Sequence, residues 1–379
     1  MNEWGLVQTL NAAAVFFLCA FSLFLLTQKK GKRSSNRILA FFLLALALST
    51  LNSPLSHDKR LVSFFLPLFL VVNSVDFLMG PLLYLYVRSV VFRDFAWERD
   101  DVLHAIPFLI YLLFLTINLI AAPATFKDLL LYRKSFFRTS AMSFFTALVA
   151  GQLLSYVGAS CLVLRSYRAR IKNSFSSLEK INLSWLGSII GGSGLMWLVL
   201  SADGVQAVSM RSGRHSLVLS AINVFISLGM ANVIVFRGLK QPEIFSGLEE
   251  KPKYEKSTLT DEEADRLLSS FLSYMEAKKP YLVSGLSIGG LAREMAVPVR
   301  YLSQVINSRL KKSFFDCING YRVEEARRLL AEPHGNAMSI LQVAFEAGFN
   351  SKAAFNRAFK KHAGRAPKEF RGEAGPKAG

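Results

Sequence analysis

Residues 339–371 read SILQVAFEAGFNSKAAFNRAFKKHAGRAPKEFR, and two short helices joined by a turn are written into that string. Ser339 starts the first helix, whose packing face is Ile340, Val343, Ala344 and Phe345. Gly348-Phe349 turns the chain, and Asn350 or Ser351 caps the second helix. Phe355, Ala358 and Phe359 recur at helical spacing and turn to the core, so Lys352, Ala353, Asn356 and Arg357 share the opposite face. Such an outward face suits base edges in a major groove, while Ser351, Lys360 and Lys361 suit phosphate oxygens.

The same pattern occurs once more upstream. Ser287 caps a helix over 288–295, Ala296-Val297 supplies the turn, and Pro298 opens a helix over 298–307, where its missing N–H costs little. Leu302, Val305 and Ile306 form its apolar face, and Arg300, Ser303, Gln304 and Asn307 stand together on the other. Arginine pairs with guanine edges and Gln or Asn with adenine, and Lys311 and Lys312 just beyond are placed for phosphate. Between the two patterns lies a helix over 313–330, about 27 Å long, with Phe314, Phe315, Ile318, Tyr321, Val323, Ala326 and Leu329 on its buried side. A stiff connector of that length holds two reading helices roughly one DNA turn apart, about 34 Å. Upstream again, Thr260-Asp-Glu-Glu opens a supporting helix whose apolar face is Leu267, Leu268, Phe271, Leu272 and Met275.

The string FFDCINGYRVEEARRLL at 314–330, followed by A-x-x-x-G-F-x-S-x-x-x-F-x-R-x-F-K-x-x-x-G-x-x-P beginning at Ala344, resembles the AraC/XylS family of bacterial transcription regulators over about 285–371. The resemblance implies a seven-helix, two-headed DNA-binding domain and, as in most members, activation of transcription through RNA polymerase. It puts base contacts on Arg300, Ser303 and Gln304 in the first reader and on Lys352, Ala353, Asn356 and Arg357 in the second. Ala353 is small, which leaves a methyl contact as its means of reading. Most members carry a soluble sensor domain. This chain resembles the smaller set with a multi-span N-terminal region, so ligand knowledge from soluble members does not transfer.

Composition divides the chain where the motifs do. Of the 379 residues 52% are apolar and 19% charged, with 45 Lys+Arg against 27 Asp+Glu and a net charge of +18. Residues 285–371 hold 15 basic and 7 acidic side chains, an excess that favours a polyanion. From Trp4 to Phe236 apolar runs follow one another, and seven are read as spans: 4–27, 38–56, 61–87, 102–122, 140–164, 183–203 and 216–236. The loops after the first, third and fifth carry thirteen basic residues and the alternate loops eight, which puts the N-terminus outside and the tail in the cytoplasm. No Lys or Arg precedes position 29, so the first run is expected to be a retained anchor rather than a cleaved signal. Pro67, Gly80 and Pro81 predict a kink or tilt in the third span.

Within the spans, ionisable and amide side chains are costly in hydrocarbon, which makes Asp76, with Asn73 and His104, the candidate intramembrane sensor. Gly187-x-x-x-Gly191 beside Ser188-x-x-x-Gly192 predicts close helix approach in span six. Three cysteines (19, 161 and 317) and five scattered histidines show no disulfide framework and no metal spacing, and no catalytic or cofactor motif is present, so neither metal nor cofactor is expected and the chain is not expected to be an enzyme. Residues 237–259, with Pro242, Pro252 and clustered charges, read as a tether of at most about 75–80 Å, and 372–379 as a disordered tail.

The expected architecture is thus all-α: a membrane-embedded sensor domain (1–236), a linker and a tandem helix-turn-helix domain (260–371). Its expected partners are promoter DNA, the bilayer of the bacterial inner membrane and a small-molecule or membrane signal. Tandem readers allow a monomer to bind, and the spans leave a homodimer open. The alternative is a polytopic transporter or membrane enzyme with an autoregulatory tail, against which the lack of a catalytic cluster and of an internal repeat counts. Proteolytic release of the tail is a third route that the exposed linker permits.

Overall fold

The computed structural model describes residues 3–28, 32–57, 66–92, 94–121, 140–179, 181, 183–208, 218, 221–222, 224–230, 232–233, 259–332 and 338–374. Among them every extended element is a helix, and the chain divides into two units: 1–165 with 183–250, and 166–182 with 251–379. The expected linker 237–259 lies outside the described residues except for Leu259, as does the loop 123–139.

In the first unit the helices are α1 (Glu3–Thr27), α2 (Arg33–His57), α3 (Leu66–Ser74), α4 (Asp76–Val91), a 3-10 turn (Arg99–Ala105), α5 (Ile106–Ala121), α6 (Ser140–Ser174, which enters the second unit at Ser166) and α7 (Ser184–Val208). Four stretches are long and apolar enough to cross a bilayer: Gly5–Thr27, Arg33–Asn52, Arg99–Ala121 and Ser143–Ser174. The bent pair α3–α4 makes a fifth when taken as one broken span. That is fewer than the seven expected. The apolar part of α7, Ser184–Val199, is shorter than a bilayer-crossing helix needs, and 216–236 is described only in part, as helical turns such as 224–230. The outer faces are apolar: on α5, Leu109, Ile110, Leu113, Ile117 and Ile120 are all exposed along one stripe, the reverse of a helix facing water.

The expected kink in the third span is real but sits elsewhere. α3 and α4 meet at a bend of 50° at Val75, not at Gly80 or Pro81. Asn73 Nδ2 donates to the Phe69 carbonyl at 2.7 Å and Ser74 Oγ to the Leu70 carbonyl at 2.8 Å. Side-chain donors that bond back one turn bend helices in this way. Pro81 lies inside α4, where it cannot supply the N–H that the Phe77 carbonyl would accept, and Gln152 Nε2 donates there instead at 3.2 Å. Gly80 permits close approach, since a Cβ there would meet the Tyr156 ring at 2.8 Å. The expected small-residue contact on α7 holds at Gly192, where a Cβ would meet Met230 at 2.9 Å, and not at Gly191, which faces open space.

The second unit contains α8 (Asp261–Lys278), a 3-10 turn (Pro280–Leu282), α9 (Ile288–Glu294), α10 (Val299–Ser308), α11 (Phe314–Ala331), α12 (Ile340–Glu346), α13 (Lys352–Ala363) and α14 (Pro367–Ala374). These are seven α-helices among the described residues, and α14 runs three residues into the segment read as a tail. Two cores form. Phe271, Met275, Leu291, Leu302, Ile306, Phe314 and Ile318 pack the first; Val323, Leu330, Val343, Phe349, Phe355 and Phe359 pack the second. α11 contributes to both, its N-terminal half to one and its C-terminal half to the other.

Caps set most boundaries. Thr260 with Glu263 and Ser339 with Gln342 form reciprocal capping boxes, and Ser287, Ser313 and Ser351 each accept a backbone N–H of their own first turn. Pro298 stands one residue earlier than expected, as the N-cap of α10 rather than its first helical residue. Of the two candidate caps of α13, Ser351 is the one used. Phe345, expected in the core, is 52% exposed, because Val343, Ala344 and Ala347 already fill the face of α12 toward α11 and α13. Leu330 rather than Leu329 is the fully buried leucine near the end of α11.

Gly348 adopts φ +85°, and a Cβ there would lie 2.5 Å from the Tyr281 carbonyl oxygen. Gly364, the left-handed C-cap of α13, has φ +76° and open space around it. Gly364→Ala is therefore expected to cost about 1 kcal/mol of stability and Gly348→Ala at least about 2–3 kcal/mol, since backbone must also move. Pulse proteolysis of the second unit in urea reads both midpoints; equal shifts would contradict the close approach.

Candidate nucleic-acid interface

α10 and α13 are the second helices of the two helix-turn-helix units, and each turns one polar face outward. On α10, Leu302, Val305 and Ile306 are buried, while Arg300 and Asn307 are exposed and Ser303 and Gln304 half-buried. Arg300 lies over the Tyr301 ring at 4.5 Å and donates to its hydroxyl at 2.8 Å. Asn307 Nδ2 donates back to the Ser303 carbonyl at 2.8 Å, which leaves its Oδ1 acceptor on the exposed face. Lys311, with φ +52°, and Lys312 are exposed in the turn before α11.

On α13, Phe355, Ala358 and Phe359 are buried and Lys352, Ala353, Asn356, Arg357 and Lys360 exposed. The expected outward face is thus geometrically as read. Lys361, expected on phosphate, donates to Asp316 Oδ1 on α11 at 2.6 Å, and its 59% accessible side chain keeps further N–H donors. Burial works to raise the Asp316 carboxyl, but the hydrogen bond and charge of Lys361 outweigh it and hold the group below the usual range.

Sequence reasoning missed Arg322 and the segment 176–179, which docks at the N-terminal edge of α13. Arg322, on α11, is 1% exposed and has no carboxylate partner among the described residues. Its guanidinium donates instead to the carbonyls of Tyr281 at 2.7 Å, Val283 at 2.8 Å and Ser176 at 3.2 Å, and to Ser176 Oγ at 3.1 Å. Desolvation pulls it down to about 10, so it stays charged at neutral pH. Ser176 belongs to the segment that follows α6. The segment is pinned further by a Phe175–Ser287 bridge and by Ser176 N–H and Oγ, which both donate to the Leu286 carbonyl. Beyond it, Ser177 Oγ accepts from Asn350 Nδ2 at 2.6 Å, and the Glu179 carboxylate accepts from Ser351 Oγ and, at 3.3 Å, from Arg357. No periodicity in FSSLE signals this docking, and its partners lie more than a hundred residues away.

The proposed sensor residues fall into two groups in the first unit. Asn73 and Asp76 flank the α3–α4 bend. Asn52 Nδ2 donates to Asn73 Oδ1 at 3.3 Å, Ser49 hydrogen-bonds Asp76, and Asp76 Oδ1 is buried without a partner among the described residues. His104 is grouped instead with Tyr156, whose hydroxyl lies 2.6 Å from its Nδ1, and with the Tyr84 ring. Beside it, Arg88 and Asp101 form a largely buried ion pair at 3.0 Å that was not anticipated.

Residues 291–373 match the family described as a helix-turn-helix domain. The HTH-type transcriptional regulator GlxA of Rhizobium meliloti (strain 1021) is 28% identical to this chain over 106 residues, which are 28% of this chain and 32% of that protein. The match thus takes in about a third of the curated relative's length. A solved structure of a protein of unknown function from Listeria innocua is 27% identical, covers 28% of this chain and 96% of its own, and has a TM-score of 0.25. The C-terminal domain, with its two capped helix-turn-helix units, thus carries a helix-turn-helix domain and is similar there to an HTH-type transcriptional regulator, in keeping with the AraC-type resemblance.

Proposed function

We propose that the chain is a membrane-embedded, sequence-specific transcription regulator that couples an event in or near the bilayer to promoter binding. One observation carries the DNA part of this reading. Two helix-turn-helix units, each with its own core, share the single helix α11 and each turn a polar helix face outward. In this reading Arg300, Ser303, Gln304 and Asn307 meet one major groove and Lys352, Ala353, Asn356 and Arg357 the next, with Lys311, Lys312, Ser351, Lys360 and Lys361 on phosphates.

The membrane part rests on four or five apolar helices with exposed apolar outer faces and on the basic loops. In this reading α7 and the helical turns within 216–236 complete seven spans, the N-terminus is outside and the DNA reader cytoplasmic. Asp76, whose buried carboxyl oxygen lacks a partner among the described residues and sits at a helix break, is the residue through which a small-molecule or membrane signal would act. RNA polymerase and a second copy of the chain are further partners in this account.

Genome-wide occupancy of the full-length protein, beside an Arg300→Ala/Arg357→Ala double variant, tests the reading. Discrete peaks that vanish in the variant are expected; peaks that persist would mean that these helices do not read sequence. Lys311→Ala/Lys312→Ala should weaken binding on all sequences alike and flatten the log–log salt dependence by about 1–2. Filter binding over a salt series measures this, and an unchanged slope would take both lysines off the phosphates.

A further inference from the structure

The segment 176–179 occupies the N-terminal edge of α13, where a DNA reader of this kind needs free donors. Three successive contacts cover that edge. Asn350 donates to Ser177, and both Ser351 and Arg357 donate to Glu179. The Ser351 hydroxyl has one hydrogen. Its oxygen already caps Ala354 N–H at 3.1 Å, so the hydrogen goes either to Glu179 or to a phosphate, never to both. A carboxylate at a helix N-terminus is held by the same oriented donors and dipole that bind a phosphate oxygen. Glu179 is therefore a phosphate mimic by position and charge, and its negative charge repels any backbone phosphate that approaches.

The contact also has the strength profile of a latch rather than of a core. The Glu179–Arg357 pair is exposed, with the arginine side chain 70% accessible, and such a pair is weak on its own. Beside the segment lies a cavity of about 330 Å³ lined by polar groups such as Ser176, Asp316 and Arg322 and by apolar ones such as Phe315 and Phe349, so the segment is not tightly packed there. The stronger hold is Ser176, which gives the buried Arg322 two of its acceptors. The segment is covalently continuous with α6, whose Ser143–Ser174 stretch is one of the candidate membrane spans.

We propose that residues 176–179 compete in cis with DNA for the second reading helix, Glu179 standing in for a backbone phosphate on Ser351 and Arg357, and that this reader binds DNA fully only when the segment leaves. The proposal rests on the DNA-binding reading above and adds its regulation. A displacement of α6 along or across its axis would pull Ser176 from Arg322 and expose the donors of Asn350, Ser351 and Arg357 together.

The test uses the full-length chain in lipid nanodiscs with fluorescent random-sequence duplex DNA, whose binding reports phosphate contacts. Glu179→Gln keeps the shape and removes the charge, and is expected to tighten binding about three- to tenfold. Unchanged or weaker binding overturns the competition. A Ser177→Cys/Asn350→Cys variant, in a chain with Cys19 and Cys161 replaced by serine, is expected to form an internal disulfide visible by gel mobility. Oxidation should weaken DNA binding at least about tenfold, and reduction should restore it. A disulfide that never forms overturns the docking, and one that forms without effect on DNA binding overturns the competition. If the disulfide forms but no version binds DNA even when reduced, the DNA reading itself fails while the docking stands.

Discussion

Everything in the second unit depends on α11 serving two cores at once. Its first turns place Phe314, Cys317 and Ile318 in one core, and its last turns place Val323, Ala326 and Leu330 in the other. Burial pushes the Cys317 thiol up to about 11, so it behaves as a small apolar filler. Midway, Arg322 ties the helix to the loop at Tyr281 and Val283 and to Ser176. Each buried phenylalanine adds a few kcal/mol to its core, yet the relative setting of the two reading helices comes from the stiffness of one helix. A two-headed reader needs that, because two grooves on one side of a duplex have a fixed spacing.

The first unit presents a different surface. Its helices keep apolar side chains outward, and its polar groups are used to repair or bend the backbone: Gln152 serves the carbonyl freed by Pro81, and Asn73 and Ser74 bend the chain at Val75. In the membrane reading proposed above, such repairs have no competition from water and hold geometry firmly. Asp76 at that bend is the exception, since one of its oxygens has no partner among the described residues. A group of that kind is where a bound ligand, ion or proton would make the largest energetic difference.

What the sequence made legible was local and periodic. The caps at Ser287, Ser339 and Ser351, the turn at Gly348 and the polar faces of α10 and α13 all follow from spacing within a dozen residues. Phe345 misled because an apolar residue beside a filled face has the same spacing as one within it. Arg322 was hidden because a buried arginine in a helix reads as surface until its carbonyl partners are known, and those come from 176, 281 and 283. Apolar length alone also overstated continuity: the run 61–87 looks like one span, but Asn73 and Ser74 break it, and α7 is apolar over too short a stretch to pass as a span by length. Glu179 was out of reach altogether, since nothing around it is periodic and its meaning lies in residues 351 and 357.

Hydroxyl-radical footprinting of the full-length protein on one of its bound promoters tests the two-headed reader most directly. The account predicts two protected windows on one face of the duplex, about one helical turn apart. A single window, or two windows on opposite faces, would contradict it.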